Sequence, residues 1–310
     1  MRLFQAISDA AGALRGCAVA IGNFDGVHLG HRRLFEVTRG LAGPRAAPAV
    51  GLTFDPHPVR VLRPRLAPPL LTPTPRKLEL LAACGLDAAV VQPFDPGYAR
   101  TDAATFVERD LAGILGAADV VVGHDFTAGR GRTRVEVLGG MLAARGVRLH
   151  VVDPVASDGL VVSSTKIREF LLEGNVEGAG QLLGRPHDVD GVVERGAGRG
   201  RGFGFATANV RPAAMLPANG VYVVWCKLGS AGYGGVCNVG VKPTVQEDGA
   251  VTAEAHLFEF DGRDLHGATL RIAFLSRLRD ERRFPSVEAL RAQIAEDAAR
   301  ARAALGAPSG

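Results

Sequence analysis

Apolar and polar positions follow two different rhythms along the chain, and the change falls a little past its middle. In the first part, short apolar runs alternate with longer stretches of helical period, which is how βα units read. The runs predict strands over residues 18–21, 49–54, 88–91, 119–122 and 148–152. Between them the period predicts helices over 31–41, 76–84, 103–115 and 135–145, and the five prolines of 63–75 mark an irregular loop. Strand, helix, strand in this order implies a mostly parallel sheet with ligands at the carboxyl ends of its strands. After Gly184 the texture changes to strand-like runs separated by glycines, at 191–194, 220–226, 235–240, 254–260 and 269–276. That spacing suggests a small antiparallel barrel. Beyond Pro285 and Ser286, apolar residues recur at Val287, Leu290, Ile294, Ala298, Ala301 and Leu305, which predicts a closing amphipathic helix. The boundary falls near residues 183–187, giving an α/β domain over 1–184 and a β domain over 185–310.

The chain has 310 residues, 47% hydrophobic and 22% charged, which suits two globular domains and excludes general disorder. Its net charge of +4 is spread evenly over the two parts, so no clustered basic surface points to nucleic acid. No apolar run approaches the roughly 20 residues of a membrane span, and the opening stretch with Arg2, Asp9 and Arg15 does not read as a secretory signal. The expectation is a cytoplasmic protein without a membrane partner. Cys17, Cys84, Cys226 and Cys237 lack close C-x-x-C spacing and read as reduced core thiols.

Two segments carry candidate chemistry in the first domain. Gly22-Asn23-Phe24-Asp25-Gly26-Val27-His28-Leu29-Gly30-His31 follows the first long strand and opens the first helix. Glycines there let the backbone turn tightly, and a helix start offers free N–H groups, so the segment reads as a phosphate cradle flanked by two imidazoles. A glycine-rich turn with incidental histidines is the plainer alternative. Further on stands Ser163-Ser164-Thr165-Lys166-Ile167-Arg168, with Phe170, Leu171 and Gly174 completing a helix and its stop. Capping explains the hydroxyls. Cations in the first turns oppose the helix dipole unless an anion is bound nearby.

Together these segments resemble the adenylyltransferase half of bacterial bifunctional riboflavin kinase/FAD synthetases. Thr53-Phe54-Asp55-Pro56-His57-Pro58, Val122-Gly123-His124-Asp125-Phe126 and Leu182-Leu183-Gly184-Arg185-Pro186 also occur in that family's order. The resemblance implies a Rossmann-like fold that transfers AMP from ATP to FMN. It places Gly22, Phe24, Gly26, His28, His31, Ser163, Ser164, Thr165 and Arg168 on ATP, with the two histidines catalytic, and Asn23, Asp125 and Phe126 near the flavin. Ala128 replaces an aromatic of the family pattern, and Arg134 stands where a glycine is expected. The arginines at 130, 132 and 134 are either a solvated loop or phosphate-facing.

The second domain continues the likeness. Five glycines lie in the nine residues 196–204, a loop able to present N–H groups to phosphate. It leads into Phe205-Ala206-Thr207-Ala208-Asn209, which is similar to the G-F-P-T-A-N motif of riboflavin kinases with alanine for proline. Asn238-Val239-Gly240-Val241-Lys242-Pro243-Thr244 and Ala253-Glu254-Ala255-His256-Leu257 follow in family order. The resemblance puts Gly198, Arg199 and Gly204 on ATP, and Thr207 and Asn209 on Mg2+, for which hard oxygen donors are suited. Glu254 is the expected general base toward the ribityl hydroxyl; read alone it is an ordinary strand carboxylate. Arg279, Phe284 and Gln293 fall in the region that closes over flavin in the family, and His266 replaces a common tyrosine. The expected enzyme takes riboflavin, FMN and ATP as small-molecule substrates and is a monomer or weak homo-oligomer. A chain with one silent half or a changed substrate, or a flavin-binding module without turnover, would carry the same motifs.

Overall fold

The structure is a computed structural model and describes residues 1–194, 206–241 and 251–306. It divides into two compact units, Met1–Val162 and Ser163–Gly310.

The first unit is built on a six-stranded parallel sheet. Its strands are β1 (Arg2–Phe4), β2 (Ala18–Ile21), β3 (Ala49–Asp55), β4 (Ala88–Pro93) and β5 (Asp119–Gly123). A two-strand ribbon, β6 (Thr127–Ala128) with β7 (Thr133–Arg134), precedes the sixth, β8 (Arg148–Val152); a second ribbon pairs β9 (Ala156–Ser157) with β10 (Leu160–Val161). The sheet order is β1-β4-β3-β2-β5-β8. Period-2 alternation sends Val19, Ile21, Val50, Leu52, Val120 and Val122 into a core with Phe106 and Leu111. The small residues Ala18, Ala20 and Ala49 go to the other face, against Phe24, Phe35 and Leu81. The helices are α1 (Leu29–Ala42), α2 (Pro58–Leu62), α3 (Thr74–Ala83), α4 (Ala103–Thr105) and α5 (Val135–Ala143). Helix α4 runs on as a π-helix over Phe106–Ile114 where the apolar period predicts one α-helix. The 63–75 segment, expected to be irregular, includes a 3-10 turn at Pro64–Leu66 and ends in the first residues of α3. Burial pushes the Cys17 thiol up to about 12, as for an inert core thiol.

The second unit opens with α6 (Ser164–Glu173) and α7 (Val176–Leu183), which the sequence reading grouped with the first domain. Six strands then close a barrel: β11 (His187–Glu194), β12 (Ala206–Val210), β13 (Gly220–Leu228), β14 (Ala231–Val241), β15 (Val251–Leu257) and β16 (Thr269–Arg279). All its pairings are antiparallel, in the closed order β11-β12-β15-β14-β13-β16. Helix α8 (Val287–Gly306) lies on the outer face, where Ala298 and Ala301 pack against Val221, Val223 and Val236. Strand β13 is therefore buried on both faces up to Val224, and Trp225, the next outward residue, is 48% exposed. Among the described residues no helix is long and apolar enough to cross a membrane.

Candidate functional sites

Strand order reverses between β2 and β5, and parallel α/β sheets bind ligands at the carboxyl ends of strands beside such a switch point. The segment 22–31 leaves β2 there, and His124, Asp125 and Phe126 leave the adjacent β5. The turn is strained. Phe24 and Val27 take the left-handed conformation at φ 48° and 45°, a rare state for an aromatic and a β-branched residue that clusters at functional sites. Gly22 is required by close approach, since a Cβ would fall 2.7 Å from the Phe24 ring. His28 caps α1, its Nδ1 accepting the His31 backbone N–H at 3.3 Å. The two imidazoles stack with centroids 3.6 Å apart, and Phe24 meets His31 edge-on at 5.4 Å. His31 Nδ1 is shut off from solvent without a hydrogen-bond partner, which costs about 1–3 kcal/mol and calls for a functional reason. Desolvation first, then His28 and Lys77, hold the His31 ring well below the usual histidine range, so it is neutral at pH 7.

What holds the turn was only partly visible in the sequence. The buried Asp25 carboxylate accepts the backbone N–H groups of Leu71 and Thr72 at 3.2 and 2.9 Å, fastening the turn to the proline-rich segment. Lys77 of α3 is 4% exposed; its ammonium donates to the Thr53 hydroxyl at 3.4 Å, which in turn donates to the Asn23 carbonyl at 3.2 Å. Burial pushes the Lys77 pKa down against the pull of Asp25 and Asp55. A lysine inside a helical period gives no sign that it is buried. Asp125 is exposed, while Phe126 is half-buried against the core. Ala128 is buried in β6, and Arg130, Arg132 and Arg134 are exposed.

At the start of α6, Ser163 is the N-cap, its hydroxyl accepting the Lys166 backbone N–H at 3.1 Å, and Gly174 ends the helix at φ 76°. Lys166 pairs with Glu169 at 3.0 Å and lies 5.0 Å from the Phe170 ring, so its charge is answered within the helix. Thr165 is exposed, and Ser164 and Arg168 are half-buried in the opening turns.

In the barrel, Asn209 of β12, Glu254 of β15 and Asn238 of β14 form one cross-strand row. Directly opposite residues share a face, and the row lies on the outer face because Ala253, Ala255 and Leu257 point inward and are buried. Glu254 is half-buried and Asn209 buried. Asn238 Nδ2 donates to Glu281 Oε1 at 3.4 Å, over Gly240, where a Cβ would stand 2.6 Å from that oxygen. His256, on the face of Glu254, has its pKa lowered by burial while Glu254 opposes the shift. The backbone of Thr207 lies opposite His256; its side chain, like Gly198, Arg199 and Gly204, lies outside the described residues. Arg279, Phe284 and Gln293 come together around Asp297. Arg279 grips that buried carboxylate at 2.7–3.1 Å, Gln293 donates to it at 2.9 Å, and Phe284 lies 5.7 and 4.9 Å from the guanidinium carbons of Arg279 and Arg282. Arg282 also bonds the Gln293 side chain. His266 is exposed, and Arg302 lies over the Phe258 ring at 4.2 Å.

Comparison with known proteins agrees with both halves. The FAD synthetase family model matches residues 11–166 and the riboflavin kinase family model residues 183–305. The chain is 36% identical, over 100% of its length and 99% of the relative's, to the bifunctional riboflavin kinase/FMN adenylyltransferase of Pseudomonas fluorescens. It is 35% identical to the protein of that name in Escherichia coli (strain K12), over 99% of this chain and 98% of that one. The Bacillus subtilis (strain 168) relative is 33% identical over 90% and 89%. A crystal structure described as a macrolide-efflux protein from Streptococcus pneumoniae aligns at TM-score 0.85 and 30% identity, covering 95% of this chain and 96% of that one.

Proposed function

The chain belongs to the bifunctional riboflavin kinase/FMN adenylyltransferase family, and we propose that it makes FAD from riboflavin in two ATP-dependent steps, one in each half. The working boundary, between residues 184 and 185, falls just inside the riboflavin kinase match, which begins at residue 183, while the FAD synthetase match ends at residue 166.

In the barrel, riboflavin is phosphorylated. The ribityl 5′-hydroxyl attacks the γ-phosphorus of ATP, Glu254 takes the hydroxyl proton, and ADP leaves. Asn209, with the Thr207 hydroxyl, would hold Mg2+. An all-oxygen donor set suits that ion. When bound, Mg2+ neutralises phosphate charge. The glycines and Arg199 of 196–204 would meet the phosphates, and Arg279, Phe284 and Gln293 would meet the flavin.

In the α/β half, an FMN phosphate oxygen attacks the α-phosphorus of ATP and pyrophosphate leaves. His28 and His31 would donate hydrogen bonds to phosphate oxygens as charge builds. The glycine turn and the hydroxyls and Arg168 of α6 would seat the triphosphate, with Asn23, Asp125 and Phe126 near the flavin. The enzyme would act in the cytoplasm, as a monomer or weak homo-oligomer, without nucleic-acid or membrane partners.

The observation that carries the kinase reading is Glu254 standing directly opposite Asn209 across β12 and β15. Reciprocal variants test the pair of sites. Glu254→Gln should abolish FMN formation and spare FAD made from supplied FMN, and His28→Ala should do the reverse. One variant eliminating both activities in a folded protein would refute separate sites.

A further inference from the structure

The helix read here as part of the ATP site of the α/β half is folded into the compact unit of the barrel. Its attachment is specific. Arg277 of β16 donates from Nη1 to the Glu173 carbonyl at 3.3 Å, and from Nη2 to the Asn219 carbonyl at 2.8 Å. Its backbone N–H donates to Glu177 Oε1 of α7 at 3.3 Å, and Nη2 also pairs with Asp280 at 2.9 Å. The guanidinium carbon sits 2.8 Å from where a Gly174 Cβ would be, so the helix stop is shaped to admit it. The same group lies 5.9 Å from the Tyr222 ring. Nearby, Ala218 N–H donates to the Leu171 carbonyl at 2.8 Å. Carbonyls in the last turn of a helix lack the usual partner four residues further along; here the Glu173 carbonyl is taken by Arg277 of β16, and the Leu171 carbonyl, which also accepts the Gly174 N–H at 3.1 Å, is reached by Ala218 from the segment between β12 and β13.

From this geometry we infer that Arg277, a residue of the kinase barrel, is a positioning residue for the adenylyltransferase reaction: it fixes the C-terminal end of α6, and thereby the opening turns that carry Ser164, Thr165 and Arg168. The inference rests on the reading that those turns hold ATP. Helix α6 spans ten residues, or about 15 Å, so a tilt of about 5° at its anchored end moves its first turn by about 1 Å. A misplacement of that size costs on the order of 10²-fold in rate.

The test uses the full chain with Arg277→Met, which keeps the alkyl packing, Arg277→Lys, which keeps one donor, and Arg168→Ala. Steady-state kinetics are run separately for FAD from FMN and for phosphorylation of riboflavin. Arg277→Met should lower kcat/KM for ATP in FAD formation at least tenfold, with riboflavin phosphorylation within twofold of the parent, and Arg277→Lys should recover part of the loss. If Arg168→Ala abolishes FAD formation and Arg277→Met leaves it intact, Arg277 has no positioning role. If Arg168→Ala leaves FAD formation intact, the ATP reading of α6 itself fails. Loss of both activities in Arg277→Met passes the decision to Arg277→Lys, where selective loss of FAD formation supports the inference and equal loss or no loss overturns it.

Discussion

His28 Nδ1 accepts the backbone N–H of His31 while the two rings stack 3.6 Å apart. A neutral imidazole accepting at Nδ1 carries its proton on Nε2, so the cap also fixes which nitrogen can donate to a phosphate. His28→Ala removes both cap and donor. Loss of the cap should cost about 1 kcal/mol of stability, and loss of a preorganised donor about 10²-fold or more in FAD formation from FMN. Riboflavin phosphorylation, assayed on the same preparation, should be unchanged.

The neutral state of His31 has a pH signature. Its folded pKa lies below the ordinary value near 6.5, so as pH falls the unfolded chain takes up the proton first. The stability contribution is complete above about 6.5 and is lost as pH drops toward the folded pKa. Thermal unfolding from pH 7 to 5 should therefore steepen the loss in the parent and flatten in His31→Gln. Lys77→Met removes one cause of the depression, and an NMR titration of His31 should move up.

The sheet and most of the barrel were legible in the sequence because their strands are short apolar runs bounded by turn residues: the runs at 18–21 and 148–152 coincide with β2 and β8, the others differ by a few residues at their ends, and β12 was not among them. Strand β1, only Arg2–Phe4, is too short to show a period. The glycine turn was legible from residue type and order; Glu254 and Asn209 were named through the family resemblance, and their placement opposite each other, with Asn238 beyond, is set by strand register. Lys77 was not legible, because burial of a charge leaves no local pattern. The allegiance of α6 was not, because it is made through the carbonyls of Leu171 and Glu173, which every residue possesses.

Asp119 opens β5 at the amino ends of the strands and is fully buried, accepting from Arg148 at 2.7 and 3.0 Å, from His150 at 2.8 Å, and from Arg45. Burial favours its protonated form, but the Arg148 and His150 hydrogen bonds and Arg45 outweigh this and hold its pKa below the usual carboxylate range. Arg148 and His150 stand two apart on one face of β8, the one sequence sign of the clasp. Its contribution is present above the unfolded pKa and is lost as pH falls through the folded one. Asp119→Ala should destabilise the α/β half by about 3–5 kcal/mol in urea unfolding at pH 7. Arg148→Ala, at an exposed partner, should cost far less.

Gly240 leaves room for the Glu281 carboxylate over Asn238. Gly240→Ala should displace that carboxylate and loosen the row beside Glu254, raising the KM for riboflavin by about two- to tenfold, the worth of one hydrogen bond. Glu281→Ala should match it, and the double variant should do no more than either. Additive effects would separate the two residues.

Two catalytic halves acting in sequence are tested most directly by chromatography of products after incubating the purified full chain with Mg-ATP and either riboflavin or FMN. The expected result is FAD from both substrates, with FMN appearing before FAD in the riboflavin reaction. FAD from FMN but no product from riboflavin, or FMN that accumulates from riboflavin and never becomes FAD, would contradict it.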